Sequence, residues 1–534
     1  MTTNTAAGSG PRAGRREWAG LAVLALPTLL LSLDLGVLFL ALPQLSADLG
    51  AAGTDQLWIT DISGFMTAGF LIIMGNLGDR LGRRRLLLFG AAAFGGASVL
   101  AAYASSPGML IAARIGMGIA AATLMPSVLA LISTMFRDAR QRGFAVAVWM
   151  SCFMAGTALG PLIGGAMLEF FWWGSVFLMG VPVMLLLLVV GPILLPEYRS
   201  TDSTARIDLV SVVLSLATIL PVVYGITELP RHGVRPVPVL ALCVGVAFGV
   251  VFILRQRTSR HPLIELGLFR NRAFSGALAV LLLGPAVMGG VGLFVNQYLQ
   301  MVGGLSPLRA GLALVPSTTL TIVGAMLAPA LAQRIRPAYV VGAAGVSMAV
   351  GGLLLTQVPG TGELGVLVAG FIFVGFGFGP IAALGTGLVV GSVPPEKAGS
   401  AASLSETSSQ LGMALGVAVL GSIGTAVYRE RIADEVPAGL PTEAAAAVHD
   451  SLPGALTVAA QLPEQLAGAV VGVARMAFTS GLNAAGAASV AMGLLLAAVA
   501  VLVLRRVRPV GEPTAPAAEE RRTAEVGADP AGLR

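Results

Sequence analysis

The chain has 534 residues, of which 56% are hydrophobic and only 11% charged, with a net charge of +6 and a mean hydropathy of +0.85. A soluble chain carries about 25% charged residues, so water is not its main solvent, and no polar stretch is long enough for a soluble catalytic domain. Cys152 and Cys243 lie in apolar runs and His232, His261 and His449 in separate loops, which indicates neither a disulfide framework nor a metal site.

Arg12, Arg15 and Arg16 precede a first apolar run at 18–42. That run is too long for the core of a secretory signal, and another follows at once, so it predicts a retained helix. Further runs able to cross a hydrocarbon core, which takes ~20 residues, fall at 56–77, 85–104, 109–134, 144–168, 175–195, 209–227, 236–254, 273–300, 308–333, 338–357, 364–392, 400–427 and 478–504. The expectation is an all-α membrane protein of fourteen spans. Its parts are an N-tail (1–17), a six-helix bundle (18–195), two linker helices (209–254) and a second six-helix bundle (273–504), which carries a long loop at 428–477. Within that loop, 442–451 and 463–475 favour helix and suggest a short hairpin. The tail 505–534 is rich in Pro, Ala, Glu and Arg and is expected to be disordered.

Arginine placement predicts orientation. With both termini inside the cell, 26 of the 33 Arg and Lys fall in tails and cytoplasmic loops. Six (Arg231, Arg235, Arg309, Arg429, Arg431 and Arg475) lie outside, and Arg114 lies within a span. That asymmetry obeys the positive-inside rule. The positive charge therefore reflects topology, and no nucleic-acid partner is expected.

An internal repeat supports two halves. Gly156-Thr-Ala-Leu-Gly160 resembles Gly412-Met-Ala-Leu-Gly416, and Leu77-Gly-Asp79-Arg80 has a weaker echo in Leu331-Ala-Gln333-Arg334. Parallel repeats with a substrate site between them near mid-membrane are a transporter design.

Two glycine-rich motifs stand out. Gly75-Asn-Leu-Gly-Asp79-Arg80-Leu-Gly82-Arg83-Arg84 occupies the turn between spans two and three. An aspartate among arginines there can pair with them and with a helix terminus, latching one conformation. Gly156-x-x-x-Gly160-Pro161-x-x-Gly164-Gly165 allows close helix packing in lipid, and its proline can bend the helix.

The turn motif resembles the loop signature of the major facilitator superfamily. The span-five glycines resemble the antiporter signature of its drug-exporting branches. Leu33-Asp34 through Ala41-Leu42-Pro43, and Arg114 followed by Gly118, Ala122 and Pro126, resemble the first- and fourth-helix signatures of its fourteen-span drug:proton antiporters. Trp58-Ile-Thr-Asp61-Ile62 and the long last loop are similar to QacA-type and LfrA-type multidrug exporters. The resemblance runs from about Trp18 to Arg505. The chain departs from it with Ser63-Gly64-Phe65 after Ile62, and with Thr321 and Gln410 where some QacA-like members carry acidic residues.

Ionisable residues inside a membrane are expensive to keep and mark function. Asp34 and Arg114 lie eight and five residues from the outer ends of their spans, depths of roughly 12 and 8 Å, so they can meet or share a water chain. They are the expected proton-coupling pair; the alternative is a permanent structural ion pair. Asp61 lies near the outer end of its span, where hydration is easy, so a solvated helix end is its competing reading. Glu406 lies in a stripe with Ser405, Thr407, Ser408 and Ser409 that is expected to face a cavity. Glu406, Asp61, Trp58, Asn296, Gln297, Trp149, Phe153 and Met154 are candidate substrate contacts, although packing is the competing reading for the last five.

No nucleotide-binding motif is present, because Gly375-Phe-Gly377-Phe-Gly379 lies inside a span with no strand before it. No nucleophile or metal cluster suggests an enzyme. The expected protein is a monomeric exporter in the bacterial inner membrane, without cofactor, driven by the proton gradient and acting on amphiphilic, cationic drugs or antibiotics. A dedicated exporter of one endogenous antibiotic is the close alternative; an importer or a membrane-embedded enzyme is more distant.

Overall fold

The computed structural model describes residues 13–51, 53–197, 209–232, 236–259, 266–360, 364–393, 398–433, 435 and 440–505. Residues 506–534 of the expected disordered tail and most of the N-tail lie outside them. Every regular element among the described residues is helical. The first group is α1 (Arg15–Leu49), α2 (Gly53–Leu81), α3 (Arg83–Ala102), α4 (Pro107–Met135), α5 (Ala139–Phe170), α6 (Ser175–Leu178) and α7 (Gly180–Leu194). A pair follows, α8 (Leu209–His232) and α9 (Pro236–Thr258). The rest are α10 (Arg272–Gln297), α11 (Pro307–Arg334), α12 (Pro337–Leu355), α13 (Leu364–Val390), α14 (Ala398–Ala433), α15 (Thr442–Asp450), α16 (Leu452–Ala459) and α17 (Glu464–Leu504).

Eleven helices among the described residues are long and apolar enough to cross a membrane. Three more, α2, α5 and α8, have 29, 32 and 24 residues. Many of the large apolar side chains point outward, as on α9, where only Pro238, Gly245 and Gln256 are buried. Such a surface suits lipid rather than water.

Packing repeats along the chain. In the first group α1 lies on α5, α2 on α4, and α3 on α4 and α7; later α10 lies on α14, α11 on α13, and α12 on α13 and α17. The repeated glycines occupy equivalent places. Gly156 faces Leu29 and Ser32 of α1, and Gly160 faces Leu33, while Gly412 and Gly416 face the backbone of Leu282 and Ala286 on α10. The two series meet where α2 touches α14 and α5 touches α11. There α8 leans on both α2 and α14, with Ile219 and Leu220 against a cluster of Phe65, Ala414 and Ala418.

Several elements differ from expectation. The segment 463–475, expected as half of a loop hairpin, is the start of α17, which runs 41 residues without interruption. Pro463 caps it and no proline follows before Leu504, so nothing in the backbone stops the helix. At ~1.5 Å per residue it exceeds a ~30 Å hydrocarbon core by about 30 Å. The hairpin is instead α15 and α16, broken at Ser451, whose side chain caps α16 by accepting from Gly454 N. The ninth span ends in a π-helical turn, Tyr298–Val302, and the sixth begins as the short α6.

Candidate functional site

The Arg114 and Asp34 side chains meet. Arg114 Nη1 lies 2.8 Å from Asp34 Oδ2, and its Nε donates to the Ile59 carbonyl of α2 at 3.2 Å. Arg114 is 3% exposed and Asp34 22%. The depths counted from the helix ends therefore place both groups on one level, with α4 supplying the cation between α1 and α2.

Asp61 joins them, against the competing reading of a solvated helix end. It is 4% exposed, because the face of α2 that carries it is covered by neighbouring helices rather than by solvent. Its Oδ2 has no hydrogen-bond partner among the described residues. Asp34, Asp61 and Arg114 line one cavity of about 80 Å³, whose opposite wall is Gln410 and Met413 of α14. That is room for several waters.

Glu406 is not part of this lining. It lies one turn away on α14, where its Oε1 accepts from Gln410 Nε2 at 3.0 Å, so Gln410 links it to the cavity wall. Trp58 packs against the Phe65 cluster beside α8. Asn296 donates to Gly292 O at 2.8 Å, and Gln297 Nε2 reaches Gln56 Oε1 at 3.4 Å. Gln297 lines a different, smaller cavity under the α15–α16 hairpin, with Gln56, Tyr428 and Asp450. Trp149 Nε1 donates to Thr28 Oγ1 of α1 at 2.8 Å, and Phe153 is one turn further along α5. The Met154 side chain lies outside the described residues. The eight expected substrate contacts are thus dispersed over several environments.

At the turn between α2 and α3, Gly82 has φ 105°, a backbone conformation open to glycine and costly for other residues. Arg83 folds back over Gly78. The Asp79 side chain lies outside the described residues. Arg84 is the clasp here: it donates to the carbonyls of Pro192 (3.2 Å) and Leu195 (3.1 Å) and lies 3.4 Å from Glu197. It thereby satisfies carbonyls that the end of α7 leaves free. Glu197 and α7 were not among the expected partners; an isolated glutamate beyond an apolar run carries no sequence signal of this contact.

The antiporter-motif glycines work on two sides of α5. Gly156, Gly160 and Gly164 face α1, the last against Val37, whereas Gly165 faces α11, where a methyl group would come within 2.6 Å of Pro307 O. Gly311 of α11 sits reciprocally against the Pro161 carbonyl. Near this seam, Gln300 in the π-helical turn donates to Leu40 O of α1 at 2.9 Å. The α15–α16 hairpin covers the same end: Arg429 pairs with Asp450, and Tyr428 donates to Val448 O at 2.8 Å. None of these polar bridges was anticipated from the sequence.

Residues 24–417 match the family model described as Major Facilitator Superfamily. The chain is 42% identical to the "Multidrug efflux pump LfrA" of Mycolicibacterium smegmatis, over 92% of this chain and 96% of that one. It is 32% identical to the "Methyl viologen resistance protein SmvA" of Salmonella typhimurium, over 90% and 97%. Among solved structures, an inward-facing bacterial homolog of the human lysosomal transporter Spinster superposes with a TM-score of 0.62 at 17% identity, covering 93% of this chain and 98% of that one. With its twofold-repeated helix packing and a charged cavity where the two series meet, the chain belongs to the Major Facilitator Superfamily.

Proposed function

We propose that the protein is a proton-driven antiporter that exports amphiphilic, cationic drugs or antibiotics across the bacterial plasma membrane. The observation that carries this reading is the Asp34–Arg114 pair, its guanidinium buried, with Asp61 in one cavity of about 80 Å³ walled on its far side by α14. Arginine keeps its proton, so a proton arriving at Asp34 cancels half of the pair and frees the guanidinium to turn toward Asp61. Each proton thereby changes the attraction between α1, α2 and α4. Water in the cavity supplies the path.

In the proposed cycle the protein works as a monomer whose two series, residues 18–195 and 273–504, rock about this level, with 209–254 between them. Fourteen spans and cytoplasmic termini are supported by the three long helices beyond the eleven clear spans and by the arginine distribution. The hairpin end, external in that orientation, is the closed end, sealed by Gly165 and Gly311 against the facing backbones. Glu406, held by Gln410, contributes attraction for a cation arriving from the other side. Kinship with a multidrug efflux pump and with a resistance protein against methyl viologen, an organic dication, supports the substrate class.

The test is a panel of drug susceptibilities in an efflux-deficient host expressing the protein. Protection against several lipophilic cations, abolished by an uncoupler, is expected. Protection that survives collapse of the proton gradient would reject the energy source, and protection against one compound alone would reject the multidrug range.

A further inference from the structure

The cavity at Asp34 uses inner faces of α2 and α4, yet the same helices enclose a larger hollow with α3 on their other flank. It measures about 710 Å³, with walls that include Met74 and Leu77 of α2, Phe89 and Ala93 of α3, and Ile119 of α4. Phe89 is 72% exposed and Leu81 50%, so the hollow opens sideways, which for a membrane-spanning helix group means toward hydrocarbon. Only one end is charged, where Arg80 near the close of α2 and Arg85 near the start of α3 form the rim.

The charge balance at that rim is positive. The sequence of the turn carries Arg80, Arg83, Arg84 and Arg85 with one carboxylate, Asp79, and Glu197 beyond α7 adds a second. Glu197 is shared, 3.4 Å from Arg84 Nε and 3.7 Å from Arg85 Nε, and Arg85 remains 66% exposed. Arg80 is in none of the ion pairs found among the described residues. From Arg85 to Ala93 the hollow follows α3 for about 12 Å, an apolar trench with an anion-seeking mouth. A cationic drug is repelled by such a rim, and a free phosphate leaves the trench unfilled.

We propose that this groove binds an anionic phospholipid, one acyl chain lying between α2, α3 and α4 and the phosphate seated on Arg80 and Arg85. The bound lipid spans the Gly82 turn, so its occupancy ties the α2–α3 connection to the composition of the surrounding leaflet.

The full-length purified protein is titrated with phosphatidylglycerol and with phosphatidylcholine of the same chains, and retained lipid is counted by native mass spectrometry. Phosphatidylglycerol is expected to bind tighter by about fivefold for each arginine engaged. The double variant Arg80→Gln/Arg85→Gln should bring the two lipids together, and Ala93→Trp should weaken phosphatidylglycerol while leaving the rim intact. A phosphatidylglycerol with a photoreactive acyl chain should label 83–102 and 107–135 of the unaltered protein, a readout that stands even if the double variant fails to fold. Equal affinity for the two lipids, label spread evenly over outward helices such as α9, or unchanged binding in Ala93→Trp would overturn the site. Full displacement of lipid by inorganic phosphate would reduce it to a headgroup contact and overturn the groove.

Discussion

Replacing Asp34 with Asn tests the coupling role most directly. The substitution keeps the size of the side chain and an acceptor for Arg114 but removes the charge that now lies 2.8 Å from Nη1. At an effective dielectric of 20 the Coulomb term of such a pair is ~6 kcal/mol. One charge crossing 100 mV is worth ~2.3 kcal/mol, so gradient and latch are of the same order and protonation can release the pair. Arg114, 3% exposed, keeps the Ile59 carbonyl and has Asp61 in the same cavity, so the variant should still insert and fold. Deleting a partner outright from a buried pair costs ~3–5 kcal/mol; the retained hydrogen bond should keep Asp34→Asn well below that. The assay is substrate-driven proton release from reconstituted vesicles, run beside equilibrium drug binding and a check of monodispersity. Proton release is expected to vanish for every substrate while binding persists, and Asp34→Glu should restore part of it. Uphill, proton-coupled transport by Asp34→Asn at normal abundance would refute the assignment and leave the pair a structural one.

Glu406→Gln should weaken export of cations by roughly tenfold for each 1.4 kcal/mol of attraction lost and spare neutral substrates; equal losses for both would make Glu406 a proton site instead. Gly311→Leu forces a side chain onto the Pro161 carbonyl and should open the α5–α11 seam, read as increased labelling of cysteines placed in the cavity from the hairpin side. Labelling unchanged in a folded variant would remove the seam from the gating scheme. Arg84→Ala frees the end of α7 and should lower transport at equal expression, whereas wild-type rates would make the clasp incidental. Reporters fused after Asp450 and after Arg505 should read external and cytoplasmic respectively, and a shared side would change the span count by an odd number.

The sequence by itself determined the helical membrane class, because hydrophobic length is a one-dimensional property that the bilayer reads directly. It also placed Asp34 opposite Arg114, since a fixed rise per residue converts position in a helix into depth, and it marked the repeat whose glycines pack alike on α1 and α10. Only the tertiary structure decided what each helix face meets. In lipid the core side and the outer side are both apolar, so no periodic pattern separates them. A solvated helix end therefore stood as a competing reading for Asp61 until its neighbours covered it, the place of Trp58 beside α8 was not legible, and Glu406 carried no sign that Gln410 holds it. The clasp of Arg84 on α7 and the facing of Gly165 with Pro307 join residues more than a hundred positions apart. Contacts of that kind are set by helix packing in three dimensions, which spacing along one chain does not encode.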